Sequence, residues 1–532
     1  MRLHNYLKYC TLALLFLMMF TSPAMPDDLT SFIVANEGPV LSQLTSVSPI
    51  SITSDAGFAS HLLGFPGNGS ESDPYRIENY DIEGTLGGNG ILIGGSVTVY
   101  YEIRNCRVHN TFTGTGINLQ AGHGVIDSCE IMNHTWGVSL AGSDYLITST
   151  EIYDTSFGIN AFQVDDVSLV DSNFENADVV LFEEVSGLNI LGNTFSASQP
   201  VVWNSDSFSV SGNTFNIEEY NEWLALDGSQ IGTVEGNIFN INNNTGIWIK
   251  NCQSIIITDC DFIASGPSGA GWLGVDFRGF SGTRDITIQD CLFESVNCDG
   301  QNIEEGLLIT NCVLNSGSIG LVDSPGSEVS SNTLTNGQIH VAYNCNGSLV
   351  YNNTLTDCPE YGLYIRENNT DLLVSTNTMK GSKSQDDHGI NLQSDGVTLY
   401  NNVIENFDSG IYIDGDDGTI CNNTLFGNNI GIEIDSGSSS NNLYYNILYD
   451  NTQNANDDGS DNTWDDGVSL GNYWGNLNAP GEYVIPGSAG SVDRYARPYR
   501  IPIIPPSPQV LLILVGAGVV GVAVAVVCLR RR

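Results

Sequence analysis

A short phrase that recurs about every 23 residues constrains this fold more than any other feature of the 532-residue chain. In each copy, apolar residues precede one small or polar residue, and another apolar residue follows within two positions, as in Asn213-Thr214-Phe215. We call these small or polar positions the ladder, and its sixteen members are Cys106, Cys129, Thr150, Ser172, Asn193, Asn213, Asn237, Cys260, Cys291, Cys312, Asn332, Asn353, Asn377, Asn402, Asn423 and Asn446. A fixed period of this length is typical of solenoids, in which each repeat packs only on its neighbours.

A second motif, about ten residues after each ladder position, indicates the kind of solenoid. It reads Gly-apolar-x-apolar, for example at Gly116–Leu119, Gly246–Ile249 and Gly410–Ile413. Alternation with a period of two is typical of β-strands, and the Gly, Asn, Asp and Ser between them favour tight corners. The sequence therefore predicts an all-β fold, a right-handed parallel β-helix of about sixteen coils with two or three short strands in each.

The ladder has a physical meaning in such a coil, because parallel strands lie about 4.8 Å apart and like residues stack on like. We expect each ladder Asn to adopt the left-handed backbone of a sharp corner and to bond the amide of the next Asn. The same spacing is within disulfide range for Cys106 with Cys129 and for Cys291 with Cys312. We favour stacked reduced thiols in these slots, and a disulfide at either pair stays open.

Both ends of the chain carry the signals of a membrane-anchored surface protein. Residues 1–24 have a basic start, an apolar run and the small-residue site Ser22-Pro23-Ala24, which predicts a signal peptide. Residues 510–529 are apolar or Gly and precede three Arg, which predicts a transmembrane helix in the cell membrane, with the N-terminal domain extracellular and the C-terminus cytoplasmic.

The expected domains follow from these signals and from the repeats. They are a signal peptide at 1–24, an N-terminal cap and lead-in at 25–75, the β-helix at 76–462, a C-terminal cap at 463–500, a Pro-rich stalk at 501–509, the transmembrane helix at 510–529 and a cytoplasmic tail at 530–532. Within the lead-in, Ser54 and Asp55 are expected to start a short helix that runs to Leu63 and plugs the open end of the core.

Charge limits the partners that the chain can have. Its 17 Lys and Arg against 61 Asp and Glu give a formal net charge of −44, and a nucleic-acid partner is excluded because phosphate binding needs a basic surface. Without a Cys-x-x-Cys pair or another specific motif we expect no cofactor, although calcium stays open on so acidic a surface. Candidate glycosylation sites are the Asn-x-Ser/Thr sequons at Asn68, Asn133, Asn243, Asn346, Asn352, Asn368 and Asn422.

The start and the end of the repeat region resemble NosD-like right-handed parallel β-helix proteins, especially archaeal cell-surface forms. The resemblance rests on Gly67–Tyr80, which reads GNGSESDPYRIENY, and on Trp464–Gly467 and Gly471–Trp474, which read WDDG and GNYW. It covers about residues 50–500 and implies the right-handed β-helix fold. The family name also implies copper handling.

Strand alternation identifies one outer face of the coil. In Gly-apolar-x-apolar-x the two apolar residues point inward and both x residues point outward. Rings beside amides and charges suit sugar recognition, because rings pack on the apolar faces of sugars and polar groups bind the hydroxyls. The candidate glycan-binding residues are Trp248, Lys250, Trp272, Asp276, Arg278, Tyr364, Arg366, Tyr412 and Asp414, whereas Trp203 is expected to point inward.

These residues favour a non-catalytic cell-surface module whose partner is a polysaccharide or a surface protein; an ordinary solvated strand face in a structural module stays open. The alternative is a polysaccharide-active lyase, epimerase or hydrolase without an assignable catalytic set. Candidates for a base beside acidic residues that bind calcium are Lys250 and Arg278 near Asp276, or Arg366 near Asp414. Gly122-His123-Gly124 has no matching Asp pair and is interpreted as a turn.

Copper handling is the weaker alternative. Copper sites need convergent Met, His or Cys side chains. Beyond the signal, Met occurs only at Met25, Met132 and Met379, and the His residues are scattered along the chain. The sequence therefore predicts no metal site.

Overall fold

Short runs of alternating buried apolar and exposed polar residues form the strands, and corners of Asn, Asp, Ser and Gly separate them. The structure is a computed structural model that describes residues 43–218, 223–242, 245–264, 273–277 and 282–500. In these residues each strand pairs in parallel with the strand one turn before and one turn after it, and three stacks of strands, here called faces A, B and C, enclose one apolar core. The parallel β-helix predicted from the sequence is confirmed.

Three strands run around corners, and the others belong to single faces. The long strands are Glu130–Thr148 and Glu151–Val170, which contribute to all three faces, and Asn173–Glu183, which contributes to faces A and B. The other strands of face A are Thr45–Val47, Tyr80–Glu83, Arg107–His109, Thr194–Ser196, Thr214–Ile217, Ile238–Ile241, Asp261–Ala264, Leu292–Glu294, Val313–Asn315, Thr333–Thr335, Thr354–Cys358, Thr378–Gly381, Val403–Glu405, Thr424–Phe426, Ile447–Tyr449, Tyr473–Trp474 and Val492–Pro498.

Faces B and C follow in the same order along the chain. The other strands of face B are Ile50–Ile52, Asn89–Ile93, Thr115–Leu119, Gln199–Trp203, Leu224–Asp227, Thr245–Lys250, Leu273–Phe277, Asn297–Gln301, Ile319–Val322, Ile339–Ala342, Tyr361–Ile365, His388–Leu392, Ser409–Ile413, Ile430–Ile434 and Gln453–Asp457. Those of face C are Tyr75–Glu78, Tyr101–Arg104, Gly124–Asp127, Ser186–Leu191, Asp206–Ser211, Gln230–Glu235, Gln253–Thr258, Arg284–Gln289, Glu305–Thr310, Glu328–Ser330, Leu349–Tyr351, Leu373–Ser375, Thr398–Tyr400, Thr419–Cys421 and Asn442–Tyr444. A last strand, Gly481–Val484, pairs antiparallel with Val492–Pro498.

The described solenoid has about 18 turns, more than the sixteen expected, because turns without a ladder residue precede Cys106. Thr45–Val47 pairs with Tyr80–Glu83, and Ile50–Ile52 pairs with Asn89–Ile93. The parallel stacks therefore begin within the expected lead-in, before residue 76.

A short helix at Asp55–Ser60 closes the first turns. It ends at Ser60 rather than at Leu63, and the Asp55 carboxylate accepts hydrogen bonds from the Thr98 backbone N–H (2.7 Å) and hydroxyl (2.8 Å). Phe58 is 1% exposed, and its ring stacks on Tyr75 with 5.0 Å between ring centroids. The helix plugs the core as predicted.

The ladder forms the predicted chain of stacked amides. The Asn353 side-chain amide donates to Asn377 Oδ1 at 2.9 Å, and the Asn377 amide donates to Asn402 Oδ1 at 3.0 Å. The left-handed residue, however, is the one before the ladder position, as at Asn352 (φ 57°) and Asn401 (φ 57°). The expectation of a left-handed ladder residue was wrong: the corner turns one residue earlier, which leaves the ladder side chain pointing inward.

The ten cysteines between Cys106 and Cys421 are all buried free thiols. Small thiols occupy the ladder where Asn is absent, in agreement with the favoured interpretation. The signal peptide, stalk, transmembrane helix and tail that the sequence predicts lie outside the described residues. Among the residues that the structure describes, no helix has both the length and the apolar character needed to cross a membrane.

Candidate functional site

One residue per strand of face B points outward between two buried neighbours, and strand register aligns these residues from turn to turn. We call them the outer row. Its members are Asn118, Ser139, Asn160, Leu181, Val201, Ala225, Trp248, Asp276, Asp299, Gly320, His340, Tyr364, Asn391, Tyr412, Glu433 and Asn456. The outward direction predicted from alternation is confirmed, and the row changes along the chain from small polar and apolar residues to carboxylates and then to rings.

Five rings from four consecutive turns form one continuous stack on this face. His340 stacks on Tyr364 with centroids 5.2 Å apart, and Tyr364 stacks on Tyr361 at 4.7 Å. Tyr361 then stacks on His388 at 5.8 Å, and His388 stacks on Tyr412 at 4.9 Å. Because most ring faces contact another ring, a ligand meets mainly ring edges and polar atoms. The expectation that sugars pack on these rings stays a prediction.

Buried polar atoms without a hydrogen-bond partner concentrate beside these rings. Five such side-chain atoms of the described residues lie here: Gln338 Oε1, His340 Nε2, Arg366 Nε, His388 Nδ1 and Asn391 Oδ1. Asn391 is only 6% exposed. Buried polar groups in proteins are almost always hydrogen-bonded, so a cluster of exceptions needs a reason. We call this set the ring site, and it consists of Gln338, His340, Tyr361, Tyr364, Arg366, His388, Asn391 and Tyr412.

His340, His388 and Tyr412 of the ring site are neutral at pH 7, whereas Arg366 carries a positive charge. Burial lowers the pKa of His340, and the nearby positive charge of Arg366 lowers it further. Burial also lowers the pKa of His388, against the opposing charges of Glu433 and Asp387. Burial and the neighbouring Asp435 raise the pKa of Tyr412 to about 12. The rings therefore act as neutral hydrogen-bonding groups.

The lower part of the outer row carries an acidic pair beside a tryptophan. Asp276 is 5% exposed and lies in register with Asp299 on the next turn. Burial, with a contribution from the charge of Asp276, raises the pKa of Asp299 to about 6. A Cβ placed on Gly320 would come 2.5 Å from Asp299 Oδ1, so the Asp299 carboxylate extends over this glycine toward the ring site.

The Lys250 ammonium contacts two neighbouring side chains of face B. It lies 3.3 Å from Asp227 Oδ2 and 5.6 Å from the centroid of the Trp248 ring. The structure therefore gives no support to Lys250 as a base.

The structure brings together some of the predicted site residues. Tyr364, Arg366 and Tyr412 belong to the ring site, Asp414 follows Tyr412 at the end of the same strand, and Trp248, Lys250 and Asp276 lie together lower on face B. Three predicted residues lie outside the described residues: Trp272, Arg278 and the sequon Asn243. Trp203 is 41% exposed rather than inward, because its neighbour Val202 occupies the inward position.

Sequence reasoning missed three residues of this candidate site. Tyr361 and His388 directly precede the Gly of the second motif, and both lie in strands of face B and pair in register. Asp299 was missed because its strand lacks the Gly-apolar motif and follows the most irregular step of the repeat. An aromatic or His directly before Gly is the signal that could have found the first two.

The described residues do not fit copper. They contain no group of three or more His, Cys, Asp and Glu that could hold a metal ion. Met379 is completely buried in the core, and the described thiols are buried there too. No convergent soft-ligand set is present among these residues.

Two family models match parts of the sequence. Residues 283–479 match the family described as periplasmic copper-binding protein (NosD), and residues 67–215 match the right-handed β-helix region. No curated protein matches the chain.

Among solved structures, the periplasmic alginate epimerase AlgG is similar at 12% identity over 74% of this chain and 83% of that chain, with a TM-score of 0.28. PfbA, a surface adhesin of Streptococcus pneumoniae, is similar at 11% identity over 67% of this chain and 92% of that chain, with a TM-score of 0.33. A mannuronan C-5 epimerase A-module of Azotobacter vinelandii is similar at 10% identity over 75% and 91%, with a TM-score of 0.21. The match of residues 283–479 to NosD and of residues 67–215 to the right-handed β-helix region supports a NosD-like right-handed β-helix family.

Proposed function

We propose that this protein is a non-catalytic cell-surface module that binds a polysaccharide at the ring site. The observation that carries the proposal is the group of five buried polar atoms without partners on consecutive turns of face B. Each buried polar group without a partner costs about 1–3 kcal/mol, which a ligand rich in hydroxyls would recover by supplying the missing hydrogen bonds. Anchoring by residues 510–529, with the β-helix outside the cell, is part of the proposal.

A repeating polymer suits the geometry of the site. The unpartnered atoms of His340, Arg366, His388 and Asn391 come from successive turns, which lie about 4.8 Å apart. They include potential donors and acceptors, and sugar hydroxyls serve as both. A chain laid along face B would meet the same kinds of group turn after turn.

The test is retention of the full-length protein on a panel of immobilised neutral and acidic polysaccharides. Asn391→Leu removes the unpartnered acceptor with little change in volume and is expected to weaken binding about three- to tenfold, the effect of one hydrogen bond. Asn160→Leu is the matched control, because Asn160 lies in the same outer row far from the ring site. Equal affinity of both variants, or no retention on any polymer, would contradict the proposal.

A second candidate, a polysaccharide-active enzyme, is favoured by the Asp276 and Asp299 pair. Their Cα atoms lie on adjacent turns, about 4.8 Å apart. Glycoside hydrolases use two carboxyl groups, one of them a proton donor with a raised pKa, and Asp299 has its pKa raised to about 6. Polymer length in the same screen separates the candidates. If the wild type shortens the polymer and Asp299→Asn does not, the protein is an enzyme. If polymer length stays unchanged with the wild type, the binding module is supported.

A further inference from the structure

Arg366 is a cation without a counter-ion in a strongly acidic protein. The chain has 61 acidic and 17 basic residues, and in the described part six Lys or Arg side chains lie within ion-pair distance of a carboxylate. No described carboxylate lies within that distance of the Arg366 guanidinium. Its Nε is buried and has no hydrogen-bond partner.

Two rings hold the guanidinium in place. Its central carbon lies 5.1 Å from the centroid of Tyr343 and 5.9 Å from that of Tyr364. Contacts of a guanidinium with rings leave its N–H edge available, and that edge matches the two oxygens of a carboxylate. The unpartnered Nε2 of His340 belongs to a ring that stacks on the same Tyr364. In the tautomer protonated at Nε2, His340 adds a second donor beside Arg366.

Further along face B the charge has the opposite sign. Asp435 Oδ1 accepts a hydrogen bond from the Tyr412 hydroxyl at 3.2 Å. Asp435 and Asp416 also raise the pKa of Asp414, although burial is the larger cause. One end of the ring site is therefore positive and the other is negative. The net charge of −44 repels a densely negative ligand from the rest of the protein surface.

We infer that the ring site selects a sparsely charged acidic polysaccharide, in which Arg366 binds the carboxylate of one uronic acid unit and neutral sugars occupy the turns beyond it. The inference rests on the proposed function and names its ligand class. Carboxylate binding at Arg366 satisfies the unpartnered Nε and neutralises the charge. A polymer with a carboxylate on every unit would place negative charge against Asp414 and Asp435 and is disfavoured.

The experiment compares three probes on the full-length protein: a hyaluronan trisaccharide, which carries its one carboxylate between two neutral sugars, the same trisaccharide with its carboxyl reduced to an alcohol, and a trisaccharide of polygalacturonate. We expect the hyaluronan trisaccharide to bind at least tenfold more tightly than either of the others. Arg366→Gln should remove the preference for the carboxylated probe over its reduced form, whereas Arg366→Lys should restore part of that preference. Arg284→Gln is the control, because Arg284 is an exposed cation on face C whose guanidinium bonds Gln253.

The outcomes separate the two proposals. Equal binding of the hyaluronan trisaccharide and its reduced form, or equal loss of both in Arg366→Gln, would overturn the acidic-sugar inference and leave a neutral-glycan site standing. Tightest binding of the polygalacturonate trisaccharide would overturn the requirement for sparse charge. Absence of binding to all three probes and to the wider panel would overturn the inference together with the proposed function.

Discussion

At the scale of single residues, the protein uses the same amide in two different ways. Asn402 is completely buried, and its side-chain amide donates to Asn423 Oδ1 and to the Val374 carbonyl, both at 3.0 Å. Asn391, at 6% exposure, has an Oδ1 without any partner. A buried amide with hydrogen-bond partners contributes to stability, whereas one without partners lowers it. The ladder amides therefore stabilise the fold, and the Asn391 oxygen is available to the proposed ligand.

His134 is one residue whose burial makes stability depend on pH. It is 3% exposed, its Nδ1 accepts from the Thr111 hydroxyl at 2.7 Å, and its Nε2 donates to the Val108 carbonyl at 3.0 Å. Burial lowers its pKa from 6.5 to about 4. The folded state therefore binds fewer protons than the unfolded state between these values, and stability falls as the pH decreases through this window.

The predicted loss is about 3 kcal/mol between pH 6.5 and pH 4, from a shift of about 2.5 pKa units. His134→Gln cannot be protonated, so urea denaturation of this variant should lose correspondingly less stability over the same range than the wild type does. His123→Gln is the control, because His123 lies on the surface beside Asp144. Identical pH dependence of the wild type and His134→Gln would refute the assignment.

At the scale of elements, the inner side of face A is held by a stack of phenylalanines. Its members come from six successive turns and have centroid distances between 4.6 and 5.2 Å: Phe174, Phe195, Phe215, Phe239, Phe262 and Phe293. Strands of face A are only three or four residues long here, so ring contacts between turns supply packing that backbone pairing alone would not.

Truncation inside this stack should be costly. Phe239→Ala is expected to destabilise the protein by about 3–5 kcal/mol, since it removes a buried ring and leaves a cavity. Phe162→Ala, at a ring that is 45% exposed, should cost much less. The measurement is the urea dependence of circular dichroism, and similar midpoints for the two variants would show that the stack does not contribute in this way.

At the scale of the whole molecule, a solenoid needs caps that cover the apolar core at its two ends. At the C-terminal end, Trp464 donates to Asp457 Oδ2 at 2.9 Å and Trp474 donates to Asp493 Oδ2 at 2.9 Å. The Trp474 ring also stacks on Tyr483 with 4.0 Å between centroids. These residues, which include part of the closing motifs that carry the family resemblance, cover the last turn of the core.

Removal of this cover should loosen the chain from one end only. Trp474→Ala is expected to increase amide hydrogen exchange in the last turns, around residues 442–474, and to leave exchange in the turns before residue 200 unchanged, because each turn is coupled mainly to its neighbours. Phe58→Ala, at the opposite cap, should show the mirror-image pattern. Uniform acceleration along the whole chain in either variant would indicate a single cooperative unit instead.

The site was predictable in part. Alternation placed Tyr364, Arg366 and Tyr412 outward, because inward and outward positions depend only on neighbours in the same strand. Alternation did not predict that Tyr361 and His388 lie beside these residues, or that Asp299 lies beside Asp276. The reason is that successive turns differ in length, and the contacts between turns depend on that length. The stacking of the rings on one another was likewise hidden, since it requires the register between Tyr361 and His388.

The sequence by itself determined that this chain is a parallel β-helix, that Asn and Cys fill its ladder and which side chains face outward. The physical reason is that apolar alternation and corner residues act within one turn, over a few residues. Only the tertiary structure decided which outward residues of different turns lie together and which buried atoms are left without partners. Those properties depend on hydrogen bonds and ring contacts between residues more than 20 positions apart. The sequence of a single repeat does not specify how such residues align with those of the next turn.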